Sequence, residues 1–269
     1  MSVLEHGPAL LFCPADRPER FEKALERADA VILDLEDAVA ADAKVLARGA
    51  VIESALDPDR VIVRVSAPGS AAYAADLATL AQTDYRTIMV AKAEQASPIA
   101  RVDPRFRVIA LCETAKGVLA AERLAGLANV TALMWGAEDL VASIGGTSSR
   151  KRHGRYRDIA RHARSQVLLA AGAAGIDAID AVHLDIADDK GLRREARDAA
   201  ASGFAASACI HPGQVGIIRA AYRPAPSDLA RARRLVAAAE GQPGVFVHEG
   251  RMVDEPVLRH ARTLISRAG

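Results

Sequence analysis

The chain has 269 residues, of which 51% are hydrophobic and 26% are charged, so it can bury a large core as one α/β barrel or as two ordinary domains. The formal net charge of +1, with neither a basic stripe nor an acidic tail, argues against a nucleic acid or a membrane surface as partner. The three cysteines have neither zinc-ligand spacing nor the even count of a disulfide framework, and no apolar run approaches about 20 residues. We therefore expect a cytoplasmic protein with reduced thiols and a small-molecule partner.

Short apolar runs alternate along the chain with longer segments of helical periodicity. The predicted strands cover residues 10–14, 30–35, 61–65, 87–91, 107–111, 130–135, 178–184 and 206–210. The predicted helices between them cover residues 20–28, 44–55, 116–127, 157–171 and 192–201. Eight strands with helices between them predict an α/β fold, a (β/α)8 TIM barrel.

The C-terminal part of the chain lies outside this series of strands and helices. A Pro-containing turn at residues 223–228 precedes a further helix, so we predict a barrel catalytic domain over residues 1–225 and a short C-terminal helical extension over residues 226–269. The competing architecture is an open doubly wound sheet. That fold usually has a glycine-rich phosphate loop after its first strand, whereas residues 13–18 read CPADRP and contain no glycine.

Polar residues follow nearly every predicted strand. In a parallel barrel the active site forms where the strands end, so these residues are the candidates for function. They are Asp34, Glu36, Asp37, Arg64, Lys92, Glu94, Glu113, Glu138, Asp139, His183, Asp185 and His211. So many polar groups at one end of a barrel are difficult to attribute to solubility alone.

Two of these carboxylates, Glu113 and Asp139, follow neighbouring strands. Mg²⁺ and Mn²⁺ take oxygen ligands and keep coordination positions for water and substrate, so the pair is a candidate metal site. Taken alone, each residue is more often a cap of the helix that follows. Glu138 is the neighbouring alternative to Asp139, and we interpret it as turned outward or as supporting the site indirectly.

Arg64 ends the apolar run VIVRV, where a guanidinium can hold a carboxylate or enolate oxygen through two parallel hydrogen bonds. A salt bridge to an acidic strand end is an equally good interpretation. Glu36 lies two residues after Asp34 on the same side of an extended segment, and Asp37 begins the loop. These carboxylates either surround the metal or, for Asp37, cap the next helix. The basic segment 145–154 suits the phosphates of a nucleotide or coenzyme A, or is a solvated loop.

The same residues occur in blocks of a known family. The blocks are LFCPADRPERFEKA at 11–24, ADAVILDLEDAV at 28–39, VRV at 63–65, KAE at 92–94, CETAKG at 112–117, WGAEDL at 135–140, ACIHPGQ at 208–214 and GRMVDEP at 250–256. In this order they resemble the HpcH/HpaI aldolase and citrate lyase family, and most of all its stand-alone citrate lyase β-subunit-like proteins. The blocks span nearly the whole chain.

The resemblance implies a Mg²⁺-dependent carbon–carbon lyase, with Mn²⁺ as a substitute. It would cleave a malyl-, citramalyl- or citryl-CoA-like 3-hydroxyacyl thioester to an acyl thioester and a 2-keto acid by a retro-Claisen mechanism. At the matching positions Glu113 and Asp139 would bind the metal, and Arg64 and Glu113 would bind the substrate.

For this reaction we expect Glu36 and Asp37 to orient metal-bound water and Arg64 to offset negative charge on oxygen in the transition state. The resemblance also implies a homo-oligomer, a trimer or dimer of trimers. In it the extension packs on or completes the site of a neighbouring subunit, and Asp254 is the proton donor.

Two other functions agree with the same residues. One is a malate-synthase-like condensation of acetyl-CoA with a keto acid, with or without hydrolysis of the thioester. The other is a non-catalytic barrel subunit of a larger lyase complex. An intact metal pair argues against the second, but barrels carry many chemistries.

Overall fold

The computed structural model describes residues 3–242 and 244–267, and its central feature is a closed barrel of eight parallel strands. Each strand pairs with the next in the chain, and β8 pairs with β1. The strands are β1 Ala9–Pro14, β2 Ala30–Asp34, β3 Val61–Val65, β4 Thr87–Val90, β5 Arg107–Cys112, β6 Val130–Trp135, β7 Asp177–Asp180 and β8 Ala206–Cys209. The predicted (β/α)8 TIM barrel is confirmed.

Helices occupy the segments between the strands and continue after β8. They are α1 Phe21–Arg27, α2 Lys44–Glu53, α3 Tyr73–Leu80, α4 Ala96–Ala100, α5 Ala115–Ala125, α6 Ala137–Ser143, α7 Asp158–Ala174, α8 Asp189–Ser202, α9 Pro212–Tyr222, α10 Pro226–Ala238 and α11 Glu255–Ser266. The sequence prediction did not include α9, nor α3, α4 and α6 between the strands. The last three have only 8, 5 and 7 residues, which is too short to show a helical period clearly.

The chain divides into two compact units, residues 1–218 and 219–269, and the division falls inside α9. The second unit contains an antiparallel hairpin of β9 Phe246–His248 and β10 Arg251–Val253 in addition to helices. Glu249 and Gly250 turn the hairpin with φ of 48° and 74°. Positive φ at both turn residues usually requires Asn-Gly or Asp-Gly, so Glu-Gly concealed the turn in the sequence. The domain boundary at residue 225 stays a prediction.

Alternation of side chains along the strands fills the barrel interior and also sets the direction of the polar residues at its mouth. The buried interior includes Leu10, Ile32, Ile62, Met89, Ile109, Leu111 and Met134. Because every second side chain in a strand points the same way, Asp34, Arg64 and Glu113 point inward, two residues after Ile32, Ile62 and Leu111 respectively. The pattern that builds the core therefore also directs three polar side chains into the mouth.

Strand β7 ends earlier than the prediction of residues 178–184, because Asp180 is held by groups outside the barrel interior. Its carboxylate accepts hydrogen bonds from Trp135 Nε1 at 2.6 Å and from Arg164 at 2.9 and 3.0 Å. The chain leaves the sheet after this residue, so His183 lies in the following loop and not at the end of a strand.

The cysteines and the apolar character of the helices can also be read from the structure. Cys13, Cys112 and Cys209 are buried, and the structure joins none of these three in a disulfide. Within residues 3–242 and 244–267, no helix combines the length and apolar character needed to cross a membrane.

Gly117 in α5 packs against the loop after β4, and we expect alanine at this position to destabilise the protein. A Cβ at this position would lie 2.7 Å from the carbonyl oxygen of Ala93, so G117A should lower the free energy of unfolding by about 1–3 kcal/mol. Gly172 in α7 is the matched control, because a Cβ there meets nothing within 4 Å and G172A should raise stability by up to about 1 kcal/mol. Chemical denaturation measures both variants, and equal stabilisation by the two would contradict the packing.

Candidate active site

A cavity of about 230 Å³ at the carboxyl end of the barrel brings together Arg64, Glu113 and Asp139. Asp34 lines the same cavity. Much of the remaining lining is apolar and includes Phe12, Leu111, Met134, Trp135, Val182, Leu184 and Ile210. A small ligand in this cavity therefore has charged groups on one side and hydrocarbon on the other.

Arg64 makes the salt bridge that its position in the sequence allowed. Its Nε and Nη2 donate to the two carboxylate oxygens of Asp34 at 2.7 and 2.6 Å. Asp34 also accepts hydrogen bonds from the backbone N–H groups of Glu36 and Ala38. Burial disfavours a charged guanidinium, but Asp34 outweighs this effect and raises the pKa of Arg64 above its ordinary value. The arginine is thus a fixed, permanently charged group that still lines the cavity.

Glu113 is buried, and it is not the cap of the helix that follows. That role belongs to Thr114, whose Oγ1 accepts a hydrogen bond from the Gly117 N–H at 3.0 Å. One carboxylate oxygen of Glu113 accepts the backbone N–H of Lys92 at 3.0 Å. The capping interpretation of Glu113 is therefore wrong, and its side chain is available to the cavity.

Asp139 and Glu138 lie in the first turn of α6 but differ in their surroundings. Both residues line the cavity, but Glu138 is exposed and accepts a hydrogen bond from the Ser149 hydroxyl at 2.5 Å, whereas burial and the charge of Asp139 together raise the pKa of Glu113. Ser149 is itself buried, so it anchors the loop between α6 and α7 to this helix. The geometry favours Asp139 over Glu138 as the partner of Glu113.

The donor set suits a hard divalent cation. Burial, together with the charge of Asp139, raises the pKa of Glu113 from its ordinary 4.5 to about 8. A Cβ on Gly136 would lie 2.8 Å from Cβ and 3.1 Å from Oε2 of Glu113, so only glycine leaves room beside this carboxylate. In the part of the chain that the structure describes, no three His, Cys, Asp or Glu residues form a metal cage. Two protein ligands, with water and substrate completing the shell, are typical of Mg²⁺.

Lys92 is a member of the site for which the sequence predicted no role. Its Nζ contacts Glu36 and lies 2.9 Å from Asp37, and its φ is 47°. Burial raises the pKa of Glu36 despite this contact. Partial burial acts in the same direction on Asp37, but the hydrogen bond from Lys92 outweighs it and the pKa of Asp37 is lowered. The only signal for Lys92 in the sequence was its position just after a predicted strand. That position does not show which carboxylates its long side chain reaches.

Two other sequence-based interpretations concern groups elsewhere in the chain. Asp254 lies in the second unit and caps α11, where it accepts the Val257 N–H at 3.2 Å. Its role as proton donor stays a prediction. In the segment 145–154, Arg150 is bound by Glu195 and donates to the Tyr156 hydroxyl, so this guanidinium is already partnered.

Comparison with known proteins identifies the family of the chain. The profile of the HpcH/HpaI aldolase/citrate lyase family matches residues 9–212. The chain belongs to this family. It is 54% identical over 269 residues to a citrate lyase subunit beta-like protein of Mycobacterium tuberculosis, which covers 100% of the chain and 98% of the relative. The prediction of a lyase is confirmed.

Other relatives show the range of reactions in the family. A (3S)-malyl-CoA thioesterase of Cereibacter sphaeroides is 34% identical, covering 97% of the chain and 94% of the relative. The human mitochondrial citramalyl-CoA lyase is 30% identical, and the match covers 97% of the chain and 85% of the relative. A crystal structure of the M. tuberculosis protein CitE, in complex with magnesium, acetoacetate and coenzyme A, superposes with a TM-score of 0.94 at 55% identity and covers 98% of each chain. Magnesium, the predicted cofactor, is present in that structure.

The raised pKa of Glu113 predicts how stability depends on pH in metal-free protein. Between pH 4.5 and about 8 the folded state holds a proton on Glu113 that the unfolded chain has lost, so the free energy of unfolding should fall as pH rises through this window. E113Q removes the titration and should gain stability relative to wild type toward the upper end. Denaturation at a series of pH values in the presence of a chelator measures this, with E122Q on the exposed face of α5 as control. Parallel curves for wild type and E113Q would contradict the assignment.

Proposed function

We propose that the chain is a Mg²⁺-dependent carbon–carbon lyase, with Mn²⁺ as a substitute, acting on a 3-hydroxyacyl-CoA thioester. Cleavage of a malyl-, citramalyl- or citryl-CoA-like substrate would give an acyl thioester and a 2-keto acid. The observation that carries the proposal is the single cavity shared by Glu113, Asp139 and Arg64. Relatives named for malyl-CoA and citramalyl-CoA, and a related structure that contains coenzyme A, support this substrate class.

Glu113 and Asp139 would hold the cation, which supplies Lewis-acid stabilisation of negative charge on substrate oxygen. Arg64 would bind the carboxylate of the keto-acid half and fix its orientation in the cavity. The apolar wall, with Met134 and Val182, excludes water from the bond that breaks.

The proton movements follow from the reaction. The 3-hydroxyl group loses its proton, the bond between C2 and C3 breaks, and the former C3 becomes the keto carbon of the 2-keto acid. The electron pair of that bond leaves as the enolate of the acyl thioester, which takes a proton at C2. Glu36 and Asp37 would orient water beside the cation, and Asp254 would protonate the enolate.

Asp254 would act in the site of a neighbouring subunit of a homotrimer or a dimer of trimers. Its place at the start of α11, in a different compact unit from the one that contains Glu113 and Asp139, supports this role. We further propose that residues 226–269 serve this purpose and that the protein acts in the cytoplasm, where its three cysteines stay reduced.

Thioester hydrolysis is the second candidate reaction, because one of the relatives is named (3S)-malyl-CoA thioesterase. In this case malyl-CoA would give malate and free coenzyme A, and a condensation of acetyl-CoA with glyoxylate followed by hydrolysis would give the same products. Counting free thiol against keto acid separates hydrolysis from cleavage.

A substrate panel tests the proposal. We expect purified protein with Mg²⁺ to release glyoxylate, pyruvate or oxaloacetate from malyl-, citramalyl- or citryl-CoA, measured with coupled dehydrogenases. The panel includes 3-hydroxy-3-methylglutaryl-CoA, because its cleavage gives acetoacetate, which the related structure contains. E113Q and D139N should lower kcat/KM at least about 100-fold, whereas E122Q on the exposed face of α5 should act like wild type. No keto acid from any of these thioesters would refute the proposed function.

Mixing two inactive variants tests the placement of Asp254. D254N keeps a good helix cap, because asparagine caps as well as aspartate, but it cannot donate the proton. E113Q lacks the metal carboxylate. When subunits of D254N and E113Q are mixed and reassembled, some sites contain intact residues from both chains, so activity should return. Two variants that are each inactive and stay inactive in verified mixed oligomers would show that Asp254 serves its own chain only.

A further inference from the structure

We propose that Lys92 is a positioning residue that holds Glu36 away from Arg64 and thereby leaves donor groups of Arg64 free for the substrate. This inference rests on the proposed function, in which Arg64 binds the carboxylate of the keto acid. The side chain of Lys92 contacts Glu36 and Asp37 but neither Glu113 nor Asp139, the two proposed metal ligands.

Asp34 occupies one edge of the Arg64 guanidinium. Its Nε and Nη2 are engaged by Asp34, so Nη1 and the outer hydrogen of Nη2 are the N–H groups left for a bidentate contact with a ligand carboxylate. The nearest competitor is Glu36, whose Oε2 lies 3.4 Å from Nη1. A movement of about 0.5 Å would bring this oxygen to full hydrogen-bond distance from Nη1.

The present contacts of Glu36 oppose this movement. Its Oε1 is bound by the Nζ of Lys92, and its Oε2 accepts the backbone N–H of Asp37 at 2.9 Å. The side chain of Glu36 is only 8% exposed, so water offers it little alternative solvation. If Lys92 lost its charge, Arg64 would be the cation closest to this buried carboxylate, and Glu36 would shift toward it.

Lys92 can restrain Glu36 because its own backbone is fixed from another side of the barrel. Its N–H donates to Glu113 and the next N–H, of Ala93, donates to the carbonyl of Leu111 at 3.0 Å. The positive φ of 47° is unfavourable for a lysine and is maintained by these bonds. The ammonium is therefore delivered to Glu36 from a rigid turn, and its side chain is 29% exposed.

The experiment measures binding of a keto acid to the full-length protein, so it does not depend on turnover. Calorimetry with pyruvate and with glyoxylate at saturating Mg²⁺ compares wild type, K92M, E36Q and the double variant. K92M keeps an unbranched side chain, one atom shorter than that of lysine, and the backbone N–H, but it removes the charge. We expect K92M to weaken binding about tenfold, which corresponds to about 1.4 kcal/mol. In the E36Q background the same change should have less than about a twofold effect, because a neutral amide competes poorly for Arg64.

Matched controls separate this role from simple loss of structure. K92R keeps the positive charge and should bind the keto acid within about threefold of wild type. A crystal structure of K92M should show the Glu36 carboxylate about 2.9 Å from Nη1 of Arg64. The inference is overturned if K92M binds like wild type, if K92M weakens binding equally in both backgrounds, or if Glu36 stays where it is in that structure. If wild type neither binds a keto acid nor cleaves a thioester, the proposed function itself fails.

Discussion

The pairing of Arg64 with Asp34 is the interaction on which the mouth of the barrel depends. Both side chains are buried, and a buried charge is tolerated only when a partner and hydrogen bonds replace the lost water. The bond uses one edge of the guanidinium completely, and it orients the other edge toward the cavity. Glu36 and Glu113 lie near this arginine, and a further carboxylate, Asp139 in the first turn of α6, lines the same cavity. The site therefore contains more negative charge than its protein cations offset, and this imbalance makes it receptive to a divalent cation.

The barrel could be predicted because its signal lies in local composition. Apolar runs of strand length occur eight times, and each of the eight strands could be recognised from its own run. The end of β7 could not be predicted, because the apolar run continues past Asp180 whereas the strand does not. The decisive contacts come from Trp135 and Arg164, which lie far from Asp180 in the chain. The hairpin was concealed for a local reason, since Glu-Gly is an unusual sequence for its turn.

The candidate site was predictable to the extent that it follows strand ends. Glu113, Asp139 and Arg64 were found in this way, and the preference for Asp139 over Glu138 agrees with the hydrogen bond from Ser149. The sequence could not show which of the other charged residues contact one another. Lys92 follows β4, but its side chain contacts Glu36 and Asp37, which follow β2. Its backbone has a positive φ, which a lysine in the sequence does not indicate.

The single tryptophan of the chain gives the cavity an optical reporter of its own. Trp135 lines the cavity, its indole N–H is bound by Asp180, and its ring meets that of Tyr156 edge-on at 5.2 Å between centroids. An indole held this firmly has one environment, so its emission changes only when something beside it changes. Filling of the cavity can therefore be followed by intrinsic fluorescence in the unlabelled protein, without a second tryptophan to obscure the signal.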